Sequence, residues 1–299
     1  MSNTLSNHHE VACCRICGSN ADFIGCKKGE FIKRTYHLHH CQTCDFYFIS
    51  DPSTEYNRIY GPEYYHGKGA DKLIDYVFEV ENPNKTTRIY EYRGILKIIQ
   101  SLAPMDEGVR GIDYGCGTGG LVKYISSETK YDVCGYDTGY GIEIARQQGV
   151  RVLTDQELKS AENGFDAVTS IETIEHVEDP RGYVKNIHSL LKKGGVFLLT
   201  TGNAKPFARN LLAWKYVIPE MHINFFTPTS LKKLFESEGL VLGEIQKRRI
   251  VDIYKYKILK NLRLKERSLL LEVLPWKTTT HLVDRHYHLS DTIVVGTKP

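Results

Sequence analysis

The stretch GIDYGCGTGG, residues 111–120, constrains this chain more than any other. The strand-like run VRGIDY leads into glycines at 115, 117, 119 and 120, and GLVKYISSE continues with apolar positions at helical spacing. Glycines at such a turn let the backbone reverse sharply, let a ligand approach the main chain and let the helix pack closely on the strand. The spacing satisfies both G-x-G-x-x-G and G-x-G-x-G. The first expectation is therefore a strand-turn-helix unit that holds a nucleotide-like cofactor at its turn.

From Asn84 onward the pattern alternates between helix and strand. KTTRIYEYRGILKIIQSL places Ile95, Ile98, Ile99 and Leu102 on one helical stripe, with a stop near Pro104. After the glycines, YDVCGYD reads as a second strand, GIEIARQQG as a helix ending at Gly149, and VRVL as a third strand. FDAVTSI and GGVFLLTT are apolar, β-branched runs flanking the helix GYVKNIHSLLKKG, as strands buried on both faces require. TPTSLKKLFESEG offers Thr227 as N-cap, Pro228 at the first helical position and Gly239 as terminator. LVLGEI and DTIVVGTK complete the strands. The implied class is α/β, a Rossmann-like doubly wound sheet.

Two carboxylates separate the cofactor classes. Asp137 ends the second strand 18 residues after Gly119, where a carboxylate accepts bonds from two ribose hydroxyls. Asp113 stands two residues before the first glycine. A carboxylate there repels a pyrophosphate and attracts the ammonium of a methionine moiety, which favours S-adenosylmethionine over NAD.

Taken in order, GIDYGCGTG, GYD, FDAVTSIETIEHVEDP and LKKGGVFLLTT resemble the successive motifs of class I adenosylmethionine-dependent methyltransferases over roughly residues 84–299. The resemblance implies a seven-stranded sheet whose last strand is antiparallel. It assigns Asp113 to the methionine amino group, Gly115, Gly117 and Gly119 to the approach of the cofactor, and Asp137 to the ribose. Asp155 is the weaker counterpart for the adenine edge, since LTDQELKS departs from the usual acidic-hydrophobic pair.

After the fourth strand, SIETIEHVEDP puts Glu172, Glu175 and His176 at i, i+3 and i+4, one face of a helical turn. PEMHINFFTPTSL carries His222 beyond the fifth strand. This E-x-x-E-H pattern with a distant histidine is similar to metal-dependent O-methyltransferases such as the ubiquinone-pathway enzymes and the small-RNA 2′-O-methyltransferases. Two carboxylates and two imidazoles suit a divalent cation that binds the substrate hydroxyl and lowers its pKa. Without a metal, His176 or His222 is the candidate general base.

Six of the eight cysteines lie between positions 13 and 44. Cys14-x2-Cys17 and Cys41-x2-Cys44, with 23 residues between the pairs, have the spacing of a closed tetrahedral zinc site, which is structural because no coordination position stays open. Cys13 competes with Cys14, Cys26 is spare, and His37, His39 and His40 are substitutes for a sulfur. The chain thus divides into a zinc-ribbon-like module at 1–50, a Tyr-rich connector at 51–83 and the α/β domain at 84–299. Tyr60, Tyr64 and Tyr65 form either a lid over the cofactor or the packing between module and core. CRICG, CQTC and YGPEYY ahead of such a core resemble bacterial methyltransferases with a small zinc module that act on sugars and on cell-envelope or natural-product intermediates. The carbon-methylating sugar enzymes of that kind usually carry a further C-terminal domain, which a chain of 299 residues is expected to be too short to hold, and this counts against sugar C-methylation.

The balance of 39 basic and 36 acidic residues gives a net charge of +3, too even to attract a polyanion non-specifically. The first residues, MSNTLSNHHE, are polar, and no apolar run approaches the roughly 18 residues of a membrane span, so the expected location is the cytoplasm. The expected activity is O-methylation of a small-molecule or saccharide hydroxyl, with a sugar or glycolipid intermediate as partner. The alternatives are sugar C-methylation, or a zinc ribbon that docks nucleic acid or protein beside a vestigial core. NAD chemistry is opposed by Asp113. Trp214 and Tyr216, in NAKPFARNLLAWKYVIPEM, are expected to line the acceptor pocket.

Overall fold

A computed structural model describes residues 11–72, 74–102, 108–286 and 291–299. The polar first ten residues and the stop near Pro104 lie outside the described residues. The chain begins with strands β1 (Ala12–Cys13), β2 (Asn20–Lys28), β3 (Thr35–Cys41) and β4 (Phe46–Ile49), followed by short helices α1 (Tyr56–Ile59), α2 (Pro62–Tyr65) and α3 (Tyr76–Glu81). The α/β part follows with α4 (Arg88–Leu102), β5 (Arg110–Tyr114), α5 (Gly120–Glu128), β6 (Asp132–Tyr136), α6 (Gly141–Gln147), α7 (Asp155–Ser160), β7 (Phe165–Ile171), α8 (Pro180–Leu190) and β8 (Leu191–Gly202). It ends with β9 (Asn224–Phe225), α9 (Pro228–Ser237), β10 (Val241–Leu242), α10 (Val251–Asn261), α11 (Leu269–Val273), α12 (Trp276–His286) and β11 (Asp291–Thr297).

The main sheet has the order β10-β11-β8-β7-β5-β6. Strands β5 to β8 are parallel, and β11 runs antiparallel to both β8 and β10, as the resemblance implied. Successive residues of β8 point to opposite faces. Phe197 and Leu199 pack with Val184 and Ile187 of α8 and with Leu231 and Leu234 of α9. Val196 and Leu198 pack with Ile95 and Ile99 of α4, Leu121 of α5 and Ile253 of α10. Helices on both faces explain why this strand reads as a continuous apolar run.

Two features differ from the sequence reading. The expected third strand, VRVL, shrinks to a parallel bridge between Gly135 and Val152, with main-chain bonds Gly135 N to Arg151 O and Leu153 N to Gly135 O. Six strands plus this bridge take the place of seven. The chain leaves the edge early because Thr154 starts α7 with a capping box, its side chain bonded by Glu157 N–H while the Glu157 carboxylate accepts from Thr154 N–H. The second difference is the helical segment α10 to α12 between β10 and β11, which no element of the sequence reading covered. Its α10 lies against α4 and buries Ile253, Tyr254, Ile258 and Leu259.

The cysteine-bearing strands do not form a separate appendage. Their sheet, β1-β2-β3-β4-β9, takes its last strand from the segment after β8, with Tyr47 opposite Phe225 and Phe48 opposite Asn224. Cys14, Cys41, Cys44, Phe46 and Phe48 share one apolar cluster with Phe226 and Leu231 of the main domain. Among the described residues no helix is long and apolar enough to cross a membrane.

Candidate active site

A cavity of about 1800 Å³ opens at the C-terminal ends of β5, β6 and β7. This is where an open parallel sheet places its ligands. The glycine turn forms its floor. Gly115 (φ +95°) and Gly117 (φ +51°) adopt left-handed conformations, but for different reasons. A Cβ on Gly115 would lie 2.4 Å from Thr173 Cγ2, so that glycine is demanded by protein packing. A Cβ on Gly117 would meet no protein atom within 4 Å, so this backbone faces open cavity. Gly119 is the left-handed N-cap of α5, the helix that follows the turn.

Asp113 and Asp137 both line this cavity. Asp113 is buried and accepts a 2.7 Å bond from Thr169 Oγ1. Burial pushes its carboxyl up to about 7, against the Thr169 bond and with help from the charges of Asp137 and Glu91. A cationic ligand group beside it would reverse that shift. Asp137 accepts Gly117 N–H at 2.8 Å through Oδ2 and Gly139 N–H at 2.7 Å through Oδ1, which ties the glycine turn to the loop after β6. The structure sets Asp155 apart from the cavity lining. It begins α7 and accepts the Tyr136 hydroxyl at 3.0 Å. Tyr65 stands over the 139–141 loop, its ring 2.9 Å from where a Cβ on Gly141 would sit. This places it beside the glycine turn and Asp137.

The acidic and histidine residues converge differently from the expected α-helical face. Glu172 is left-handed (φ +50°), held by its N–H to Thr200 O at 3.0 Å, and only Ile174–His176 forms a tight 3₁₀ turn. The turn is held by bonds to the β9 segment, Ile223 N–H to Glu175 O at 2.8 Å and Asn224 Nδ2 to Ile174 O and Val177 O, which occupy carbonyls an α-helix would use itself. Glu175, His176 and His222 nevertheless bring ligand atoms within 4.8 Å of one another, and Glu172 stands outside that set. Glu175 is fully buried and accepts the hydroxyls of Thr201 (2.8 Å) and Tyr216 (2.5 Å). The same Tyr216 hydroxyl lies 3.2 Å from Glu172 Oε2 and accepts Gly202 N–H at 3.0 Å, so it links the two carboxylates.

Both imidazoles are oriented by main-chain carbonyls. His176 Nδ1 lies 3.0 Å from Met221 O and 2.9 Å from the Tyr60 hydroxyl, and His222 Nδ1 lies 2.6 Å from Tyr216 O. A carbonyl can only accept, so each Nδ1 carries the proton and each Nε2 keeps its lone pair. Burial lowers both pKa values. For His222 the neighbouring His176 adds to it and the value falls to about 3. Both rings are therefore neutral near pH 7, the form that binds a metal or accepts a proton. Phe207 and Trp214, stacked at 4.7 Å, and Tyr216 line the adjoining wall.

The cysteines form a second, closed centre. One ligand atom from each of Cys14, Cys17, Cys41 and Cys44 lies within 4.8 Å of the others. The Cys17–Cys41 sulfur separation of 3.7 Å matches the edge, about 3.8 Å, of a tetrahedron with zinc–sulfur bonds of about 2.3 Å. Each knuckle is followed by a left-handed residue, Gly18 (φ +74°) or Asp45 (φ +54°). Cys13 and Cys26 are exposed and outside the set. His37 pairs with Asp51, His40 with Asp45, and His39 packs on Phe48. The donor set fits zinc.

A family model described as a methyltransferase domain matches residues 86–244, more than half of the chain. The chain belongs to the methyltransferase family. Among proteins similar to this methyltransferase is the ubiquinone biosynthesis O-methyltransferase of Dinoroseobacter shibae, 34% identical over 151 residues that cover 45% of this chain and 60% of the relative. The enzyme of the same name from Bordetella avium is 31% identical over 48% of this chain and 67% of its own length. The methyltransferase thus spans about three fifths of the length of the first of these relatives. In architecture it resembles phosphoethanolamine N-methyltransferase 2 of Haemonchus contortus, solved with S-adenosyl-L-methionine, at TM-score 0.53 and 18% identity over 85% of this chain and 62% of that one. At that identity the likeness concerns the fold.

The sequence reading did not find Asn224, Thr169, Thr201 or the Tyr60 bond to His176. Asn224 left a signal, being the lone polar residue in the apolar run INFF. Thr169 and Thr201 sit in β-branched strand runs and carry no such mark.

Proposed function

We propose that this methyltransferase transfers the methyl group of S-adenosylmethionine to a hydroxyl of a small cyclic acceptor, phenolic or saccharide, held over Glu175, His176 and His222. The observation that carries the reading is the convergence of a buried carboxylate with two neutral imidazoles beside the glycine turn. The names of the O-methylating relatives agree with it. The acceptor oxygen attacks the methyl carbon in line with the departing sulfur, the carbon–sulfur bond breaks with its electrons remaining on sulfur, and the hydroxyl proton leaves. His176 Nε2 takes that proton, with Glu175 Oε1 3.9 Å away to balance the imidazolium. His222, pushed to about 3, stays neutral and orients the hydroxyl. Asp113 holds the methionine ammonium, Asp137 the ribose, and Gly117 the close approach of the cofactor. Asp155 retains no part in this scheme. Positioning supplies much of the acceleration.

A second reading is favoured by the two Nδ1–carbonyl bonds, a common way of orienting metal-bound histidines. Glu175, His176 and His222 fit a divalent cation, and Glu172 stands outside that set, 3.2 Å from the Tyr216 hydroxyl. When bound there, such an ion would lower the pKa of the acceptor hydroxyl. The segments 1–50, 51–83 and 84–299 then divide the work into zinc binding, cover and transfer. Four thiols kept reduced for zinc suit the cytoplasm.

The test is turnover of labelled S-adenosylmethionine against phenolic, saccharide, glycolipid and amine acceptors, with and without a chelator too weak to strip thiolate-bound zinc. Hydroxyl methylation that collapses in His176→Gln supports the reading. Methylation only of amines or carbon, or binding of nucleic acid without turnover, overturns it. Loss of activity in chelator, restored by magnesium or manganese, selects the cation.

A further inference from the structure

We propose that Arg15, inside the first zinc knuckle, is a positioning residue that holds the Glu175–His176 turn through Asn224, so that loading of the cysteine site governs the catalytic loop. The importance of that loop rests on the proposed function, whereas the linkage rests on contacts alone.

Arg15 lies between Cys14 and Cys17, and its guanidinium bridges the module and the main domain. Nη1 donates to Asn224 Oδ1 at 2.9 Å and to Ile223 O at 3.3 Å, and Nη2 donates to Ile49 O at 2.5 Å. Asn224 is fully buried. Its Nδ2 donates to Ile174 O at 3.1 Å and to Val177 O at 2.7 Å, the two carbonyls that bracket Glu175 and His176. Ile223 N–H adds a 2.8 Å bond to Glu175 O. Because a guanidinium can only donate, it fixes which end of the Asn224 amide faces it, and so directs both amide hydrogens at the loop. Without Arg15, a buried amide oxygen loses its charged partner.

The module grips the rest of this wall as well. Lys27 Nζ donates to Leu212 O at 2.7 Å, Phe31 N–H donates to Glu220 Oε1 at 2.7 Å, and Tyr36, Leu38 and Ile49 share a core with Trp214, Val217 and Ile223. Arg15 begins within one metal loop and reaches the catalytic side, whereas Thr43 O in the other metal loop accepts Lys233 Nζ of α9. The turn that aims Arg15 carries its own main-chain bonds, Gly18 N–H to Cys14 O at 2.9 Å and Cys14 N–H to Ser19 O at 2.8 Å, and zinc bound to Cys14 and Cys17 would add a further closure. A displacement of about 1 Å in a reacting group costs on the order of a hundredfold in rate, so a small loosening of this relay is enough to be read in turnover.

The experiment compares the full zinc-loaded chain with Arg15→Met and Arg15→Lys by hydrogen-deuterium exchange, zinc analysis, calorimetry with S-adenosylhomocysteine, and turnover on whichever phenolic, saccharide or glycolipid acceptor the turnover test selects. Arg15→Met is expected to keep its zinc and bind S-adenosylhomocysteine within about twofold of wild type, since it touches none of that site. Peptides spanning 172–178 and 222–226 should exchange about ten- to a hundredfold faster, the loss expected for a hydrogen bond to a charged group. Turnover should fall about tenfold or more in kcat with KM for the cofactor little changed, and Arg15→Lys should recover part of both effects. Removing zinc from wild type should loosen the same two peptides and add nothing to Arg15→Met. Unchanged exchange in zinc-loaded Arg15→Met overturns the proposal. So does a loosened loop with unchanged kcat, or zinc removal that leaves these peptides protected. If no acceptor is methylated, the proposed function fails while the exchange results still decide the linkage.

Discussion

Asp137 gives the sharpest quantitative test, because its carboxylate has two tasks that different variants separate. It accepts Gly117 N–H at 2.8 Å and Gly139 N–H at 2.7 Å, one on each oxygen. Each oxygen has a further lone pair for a ribose hydroxyl. Asp137→Ala removes both sets. For the ribose, two hydrogen bonds to a charged acceptor in a partly solvated site correspond to about 2–3 kcal/mol, a Kd for S-adenosylhomocysteine roughly 30- to 150-fold weaker. For the fold, two loop N–H groups lose a charged partner but regain water, so the stability loss is about 1–2 kcal/mol, a few degrees in Tm. Asp137→Asn keeps one carbonyl oxygen and offers an N–H₂ where Oδ1 or Oδ2 accepted. One of the two backbone N–H groups then faces a donor, so the amide should recover little of the Tm and only part of the affinity. Calorimetry with S-adenosylhomocysteine and thermal unfolding, with and without ligand, measure both tasks. Wild-type affinity in Asp137→Asn, or a large Tm loss in Asp137→Ala with unchanged affinity, would refute the assignment of this carboxylate to the ribose.

The remaining expectations concern charge, metal and the carboxylate link. Burial pushes the Asp113 carboxyl up to about 7, above an unfolded aspartate, so its burial costs stability progressively as pH rises from about 4 to 7. The ligand ammonium relieves this cost, so S-adenosylhomocysteine should stabilise more and bind tighter as pH rises from 6 to 8, with proton release below 7 visible as buffer-dependent heats. Asp113→Asn should abolish that dependence. About one zinc per chain should be lost in the Cys14→Ser, Cys41→Ser double variant. Because these cysteines pack with Phe226 and Leu231, the Tm of the whole chain should drop together. Tyr216→Phe removes the hydroxyl that bridges Glu172 and Glu175, and should lower kcat about ten- to a hundredfold while the Kd for S-adenosylhomocysteine stays within about twofold. An unchanged kcat would show that the bridge has no catalytic part.

What the sequence alone determined is what short range can encode. A strand, three glycines and a helix in succession specify the turn. Asp113 and Asp137 mark the two strand ends that the sheet must deliver to it, and the paired C-x2-C knuckles carry their own metal geometry. The alternation of helix and strand was enough for the doubly wound sheet, because apolar runs such as GGVFLLTT are what burial on both faces requires. Tertiary structure decided the rest. E-x-x-E-H suggests an α-helical face, but bonds from Ile223 and Asn224 to the carbonyls of 174–177 hold a 3₁₀ turn there, with Glu172 left-handed and outside the Glu175–His176–His222 set. The third strand is cut short by the capping box of α7, a competition between two local signals that only packing at the sheet edge resolves. The attachment of the cysteine sheet to β9, and the bond from Arg15 to Asn224 across 209 residues, have no periodic signature at all. Such contacts depend on which surfaces meet once local elements exist, and a buried amide such as Asn224 reveals its partners only when the groups that must satisfy it have been brought within hydrogen-bond reach.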